Sequence, residues 1–204
     1  MLEILVVVAL AAQSMSAALV GGRRNIDYFG VCLLACVTAL GGGTLRDTML
    51  GHYPLAWVAN PHYILICCGA AILTIIFARV IDRLRMPFLL LDAVGLVSFS
   101  VIGCQIALSM GHNPMIVIIF GMVTGCAGGV IRDILCNDVP LLLSGELYAT
   151  VSIVTGGVYL LGLAAGGDAT LVMAAAMLVG FALRVLAIVY RWEMPRFVYD
   201  RDMR

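Results

Sequence analysis

The chain has 204 residues, 63% of them hydrophobic and 12% charged, with acidic and basic side chains equal in number. A soluble domain needs more polar surface than that, so the composition excludes a soluble fold and indicates an integral membrane protein. With zero net charge and no basic tract, nothing is present to grip nucleic acid.

The first apolar run, 4–22, follows Glu3 as its only preceding charge, so it lacks the basic start of a signal peptide. It is long enough to cross the hydrocarbon core, which takes ~20 apolar residues, and is read as the first transmembrane helix, near 3–21. Further spans are predicted near 26–49, 61–82, 88–110, 114–136, 146–166 and 169–190, which makes seven. The breaks between them carry turn-forming sequences: GGRRN, GHYPLAWVANP, DRLRMP, MGHNP, CNDVP and AGGD. A charged tail, 191–204, remains.

Every basic side chain is an arginine. With seven spans, Arg23, Arg24, Arg79, Arg83, Arg85, Arg191, Arg196, Arg201 and Arg204 fall on one side of the membrane, and Arg46 towards the other. The positive-inside rule then puts the N-terminus outside and the C-terminus in the cytoplasm. Arg184, about two turns inside the last span, is expected to snorkel to the interface. The seven cysteines show no metal or redox spacing and read as small apolar side chains in the bilayer. His52, His62 and His112 fall in loops or at helix edges.

Two near-copies stand out: GGGTLRD at 41–47 and AGGVIRD at 127–133. At an offset of 86 residues Val37-Thr38 meets Val123-Thr124, Gly42-Gly43 meets Gly128-Gly129, Arg46-Asp47 meets Arg132-Asp133, and Pro54 meets Pro140. Each copy holds three spans, an odd number, so the second enters the membrane upside down. The expected fold is all-α: two inverted three-helix repeats, 1–87 and 88–167, with a seventh helix over 168–190.

Glycines in a membrane helix admit two readings. They permit close helix packing, or they break the helix where backbone lines a watery cavity. The doubled motif favours breaks at Gly41, Gly42 and Gly43 and at Gly128 and Gly129, which would leave carbonyls as cation ligands, with Thr38, Thr44 and Thr124 beside them. Arg46–Asp47 and Arg132–Asp133 would either lock the halves together or act as positive gates at the two ends of a pore; a mixed role is expected. Asp92 faces either the basic DRLR loop, with Arg83 and Arg85, or the arginine of a broken helix. Gln13, Ser14, Ser16, Ser98, Ser100 and Gln105 are further polar groups that would wet a narrow path; of these, Ser14 and Ser100 are taken as lining it.

The doubled motif, V-T-x-x-G-G-G-x-x-R-D and V-T-G-x-x-G-G-x-x-R-D, together with D-A-x-G-L from Asp92 and L-Y-A from Leu147, resembles the bacterial TRIC-like family. These are prokaryotic relatives of trimeric intracellular cation channels, whose domain has also been labelled a glycine-transporter domain. The resemblance implies a homotrimer in the bacterial inner membrane, one pore in each protomer, second and fifth spans kinked at their glycines, and conduction of monovalent cations, chiefly potassium. No intramembrane HExxH, GxSxG or catalytic aspartate pair appears in the sequence, so no enzyme activity and no cofactor are expected. The lysine-containing lipid motif of animal members has no counterpart here. The alternative reading is a secondary transporter for a small zwitterion such as glycine.

Overall fold

The computed structural model describes residues 2–78, 85–144 and 147–195. The helices are α1 (Leu2–Arg23), α2 (Tyr28–Leu50), the single turn α3 (Ala56–Ala59), α4 (His62–Ala78), α5 (Arg85–Ser109), α6 (Pro114–Leu135), α7 (Tyr148–Ala164) and α8 (Ala169–Tyr190), with a 3₁₀ turn at Leu141–Leu143. Among the described residues, five of them are long and apolar enough to cross a membrane, and α4 and α7 are shorter apolar helices. Arg79, Arg83, Arg196, Arg201 and Arg204, on which the expected orientation partly rests, lie outside the described residues.

Local chemistry sets the helix ends. Asp27 accepts a hydrogen bond from the Gly30 amide at 2.7 Å, and Asn113 one from the Met115 amide at 2.8 Å with Pro114 opening the first turn, so orphan donors are satisfied. Asp168 caps α8 in the same way. Gly51 ends α2 in the left-handed region at φ 67°, where a side chain would be strained.

Inverted duplication is visible in the packing. Helix α1 packs on α2 and α4, and α5 packs on α6 and α7; α1–α5 and α2–α6 join the halves, and α8 lies against α5 and α7. At the α2–α6 crossing, a Cβ on Gly42 would stand 2.3 Å from the Thr124 carbonyl oxygen, and one on Gly128 would stand 2.3 Å from that of Thr38. The two contacts exchange under the 86-residue offset. They also pair an ascending step on α2 with a descending step on α6, so the helices cross antiparallel about a pseudo-twofold axis.

This geometry corrects one expectation. Helix α2 runs through Gly41, Gly42 and Gly43, and α6 through Gly128 and Gly129, with no interruption of α-helix. At Gly42 and Gly128 the missing side chains let backbone meet backbone. Gly41 contributes to the same crossing, where a Cβ would lie 2.8 Å from Ile131 Cδ1. Gly42→Ala should therefore cost about 1–3 kcal/mol as overpacking against rigid backbone. Gly43→Ala should be nearly neutral, since the nearest atom to its added Cβ would be Arg46 Nη2 at 3.7 Å. Thermal melts of the detergent-solubilised variants check this; equal midpoints would place the crossing elsewhere.

Candidate functional site

A charge deep in a membrane costs several kcal/mol unless it is paired or wetted, so partners were expected for each buried arginine. Arg132, on α6, is 0% exposed. Its Nη1 donates to Asp92 Oδ1 at 2.5 Å and to Ser16 Oγ at 2.7 Å, and its Nε donates to Asp133 Oδ1 at 2.8 Å. Nη2 stands 2.8 Å from that same Asp133 oxygen. The Phe88 ring covers the guanidinium at 4.9 Å. Three helices thus meet on one cation: α1 through Ser16, α5 through Asp92 and Phe88, and α6 through its own Asp133, which reaches on to the amide of Leu141 at 2.9 Å.

The inverted copy is built similarly and lacks one part. Arg46 donates to Asp47 Oδ1 through Nε at 2.9 Å and Nη2 at 2.7 Å. His52 Nδ1 lies 3.1 Å from the same oxygen, and Asp47 Oδ2 accepts from the Ala56 amide at 3.2 Å. Both aspartates therefore pair with the adjacent arginine and pin the segment that follows their helix. Asp92 has no counterpart, because 86 residues earlier stands Val6. Near Arg46, Thr44 donates to the Leu40 carbonyl at 2.8 Å and accepts from Trp57 Nε1 at 3.1 Å.

Between the two arginines the interior is polar and tightly closed. Thr38 and Thr124 flank the crossing; Thr124 Oγ1 donates to the Phe120 carbonyl at 2.6 Å, while Thr38 Oγ1 has no hydrogen-bond partner. The Gln13 side chain lies against Gly95 and Gly128. Tyr148 turns its hydroxyl towards Gly129, where an added Cβ would stand 2.8 Å away. Phe88, Arg132, Gln13, Thr38 and Arg46 are each 8% exposed or less, so the column is occluded in this conformation.

At the Arg132 end a cavity of about 490 Å³ opens among Arg23, Arg24, Phe88, Asp133 and Asp138. Arg24 is ion-paired with Asp138 beside it. Phe88 forms the inner wall of this vestibule and touches both sides: Arg23 lies over its ring at 5.9 Å and Arg132 at 4.9 Å.

Other expectations resolve unevenly. Of its two expected faces, Asp92 takes the arginine of α6; Arg83 lies outside the described residues. Ser100 is tied up, donating to the Leu96 carbonyl at 2.7 Å and meeting Ser152 Oγ of α7 at 2.6 Å; its hydroxyl also lies against Gly125 of α6, where an added Cβ would stand 2.4 Å away. Ser14 is fully buried, beside the Cys67 thiol. Arg184 does not snorkel: it is 1% exposed and stacks over the Tyr148 ring at 5.0 Å. All seven cysteines are free, and the Cys36 and Cys68 sulfurs approach to 3.6 Å. Phe88 and Tyr148 were not singled out as site residues, because an aromatic in an apolar run carries no signal of what it covers.

The model of a family described as glycine transporter matches residues 3–79 and 89–164, the two halves related by the offset. A UPF0126 membrane protein of Vibrio cholerae is 36% identical over 94% of this chain and 80% of its own length. The UPF0126 inner membrane protein YadS of Escherichia coli is 36% identical over 97% of both chains. Among solved structures, the TRIC trimeric intracellular cation channel orthologue of Rhodobacter sphaeroides superposes with a TM-score of 0.90 at 35% identity, over 94% of this chain and 98% of that one. A prokaryotic TRIC channel determined in 0.5 M KCl gives a TM-score of 0.88 at 33% identity over 95% of this chain and 98% of that one. These relatives are membrane proteins and channels, not enzymes. The chain belongs to the bacterial TRIC-like family, the one that the glycine-transporter model describes.

Proposed function

We propose that this protein is a homotrimeric channel for monovalent cations, potassium above all, with one pore in each protomer. The pore follows the polar column from the vestibule at Asp133 and Asp138, past Phe88 and Arg132, through the Thr38–Thr124 crossing to Arg46, Asp47 and Thr44. One observation carries the reading: a line of buried polar groups joins two paired arginines across the repeat interface, in a chain whose solved relatives are described as cation channels. The units are taken as 1–87 and 88–167, with 168–190 outside them, the N-terminus outside the cell and the tail in the cytoplasm.

Uninterrupted helices change how the pore works. With the carbonyls of α2 and α6 held in helix, the lining is made of side chains, and opening requires the column to loosen. Phe88 is the chief obstacle at the vestibule end. Arg132 and Arg46 take the mixed role expected of them, paired in this closed state and displaced in the open one. The glycine-carrier alternative rested on broken helix ends that offer amide and carbonyl dipoles to a zwitterion; continuous helices withdraw that support.

Recordings from the purified protein in planar bilayers decide between channel and carrier. Discrete potassium currents without any organic substrate are expected, larger than those in sodium; saturable glycine uptake with no unitary current would overturn the reading. Phe88→Ala should raise the open fraction, and an unchanged open fraction would move the obstruction elsewhere. Asp92→Asn removes one carboxylate from a buried arginine and should cost about 3–5 kcal/mol, seen as a lowered melting midpoint. An unshifted midpoint would show that Asp133 alone suffices for Arg132.

A further inference from the structure

Gln13 stands midway along α1 between Glu3 and Arg23. It is 1% exposed, yet among the described residues neither its amide nitrogen nor its amide oxygen has a hydrogen-bond partner. A buried amide left unpaired costs free energy. The position related by the repeat, Phe99, is filled by an aromatic side chain that packs in the apolar core. The neighbours of Gln13 are glycines: a Cβ on Gly95 would stand 2.1 Å from its Oε1, and one on Gly128 would stand 3.6 Å from its Nε2. Two helices therefore carry no side chain where the amide lies. Gly128 also meets the backbone of Thr38, whose hydroxyl is likewise buried and without a partner.

We propose that Gln13, on turning its Oε1 from Gly95 towards the crossing at Thr38, is the mid-membrane point at which a permeating cation exchanges hydration water for protein oxygen. The assignment rests on the channel reading and names the constriction within it. An amide carbonyl and a hydroxyl are neutral oxygen ligands. They suit a monovalent alkali cation, which must bind well enough to enter and weakly enough to leave. A carboxylate at the same place would favour a divalent cation. The amide is kept here at a cost in stability, so removing its polarity should act on stability and conduction in opposite directions.

The test uses the full chain in planar bilayers with potassium, sodium and barium, alongside thermal melts in detergent. Gln13→Met, close in volume and apolar, should melt higher than the wild type and lose its potassium current. Gln13→Glu should keep a cation current and become sensitive to barium block at concentrations that leave the wild type unaffected. Wild-type current through Gln13→Met, or unchanged barium sensitivity in Gln13→Glu, would overturn the assignment while leaving the channel intact. A Gln13→Met protein that melts lower and loses current would make the amide structural, which also overturns it. No current through the wild type would overturn the channel reading itself, and this assignment with it.

Discussion

The structure depends on one contact, the approach of α2 and α6 backbone to backbone at Gly42 and Gly128. No side chain can be added at either glycine without meeting a carbonyl oxygen of the other helix. In lipid there is little hydrophobic gain from bringing helices together, so association relies on close packing and on polar pairs. The crossing supplies the first and the buried arginines supply the second. Each arginine sits one turn beyond its glycines, so the contact that aligns the repeats also carries Arg46 and Arg132 towards opposite ends of the column.

The duplication is symmetric in its backbone and asymmetric in its chemistry. Asp47 and Asp133 perform the same local task, pairing with the preceding arginine and holding the amide of the segment that follows. Around Arg132 the second repeat adds Asp92, while Ser16 reaches in from the first. Around Arg46 there is His52 instead, with Trp57 close by on Thr44. Two ends that began as copies therefore hold their cations with different strength, and the end held by more partners is the one beside the vestibule and Phe88.

Several features were legible without coordinates. Seven apolar runs, their punctuation and the 86-residue offset led to the helix count, the inverted repeat and the importance of the glycine-arginine-aspartate motifs. The membrane cost of charge required partners for Arg46 and Arg132, and the neighbouring aspartates were the obvious ones.

What the sequence alone determined, then, is which segments cross the membrane and which polar residues they carry into it, because a bilayer admits few helix lengths and penalises every unpaired charge. Only the tertiary structure decided what the glycines are for. A GGG run weakens a helix in isolation, but a neighbouring backbone at contact distance repays keeping it intact, and no single-helix argument contains that neighbour. The same holds for Asp92 choosing Arg132, for Arg184 under Tyr148, for Ser100 engaged by Ser152, and for Phe88 between two guanidinium groups. Each choice is made by a side chain on another helix, at a distance that periodicity along one chain does not encode.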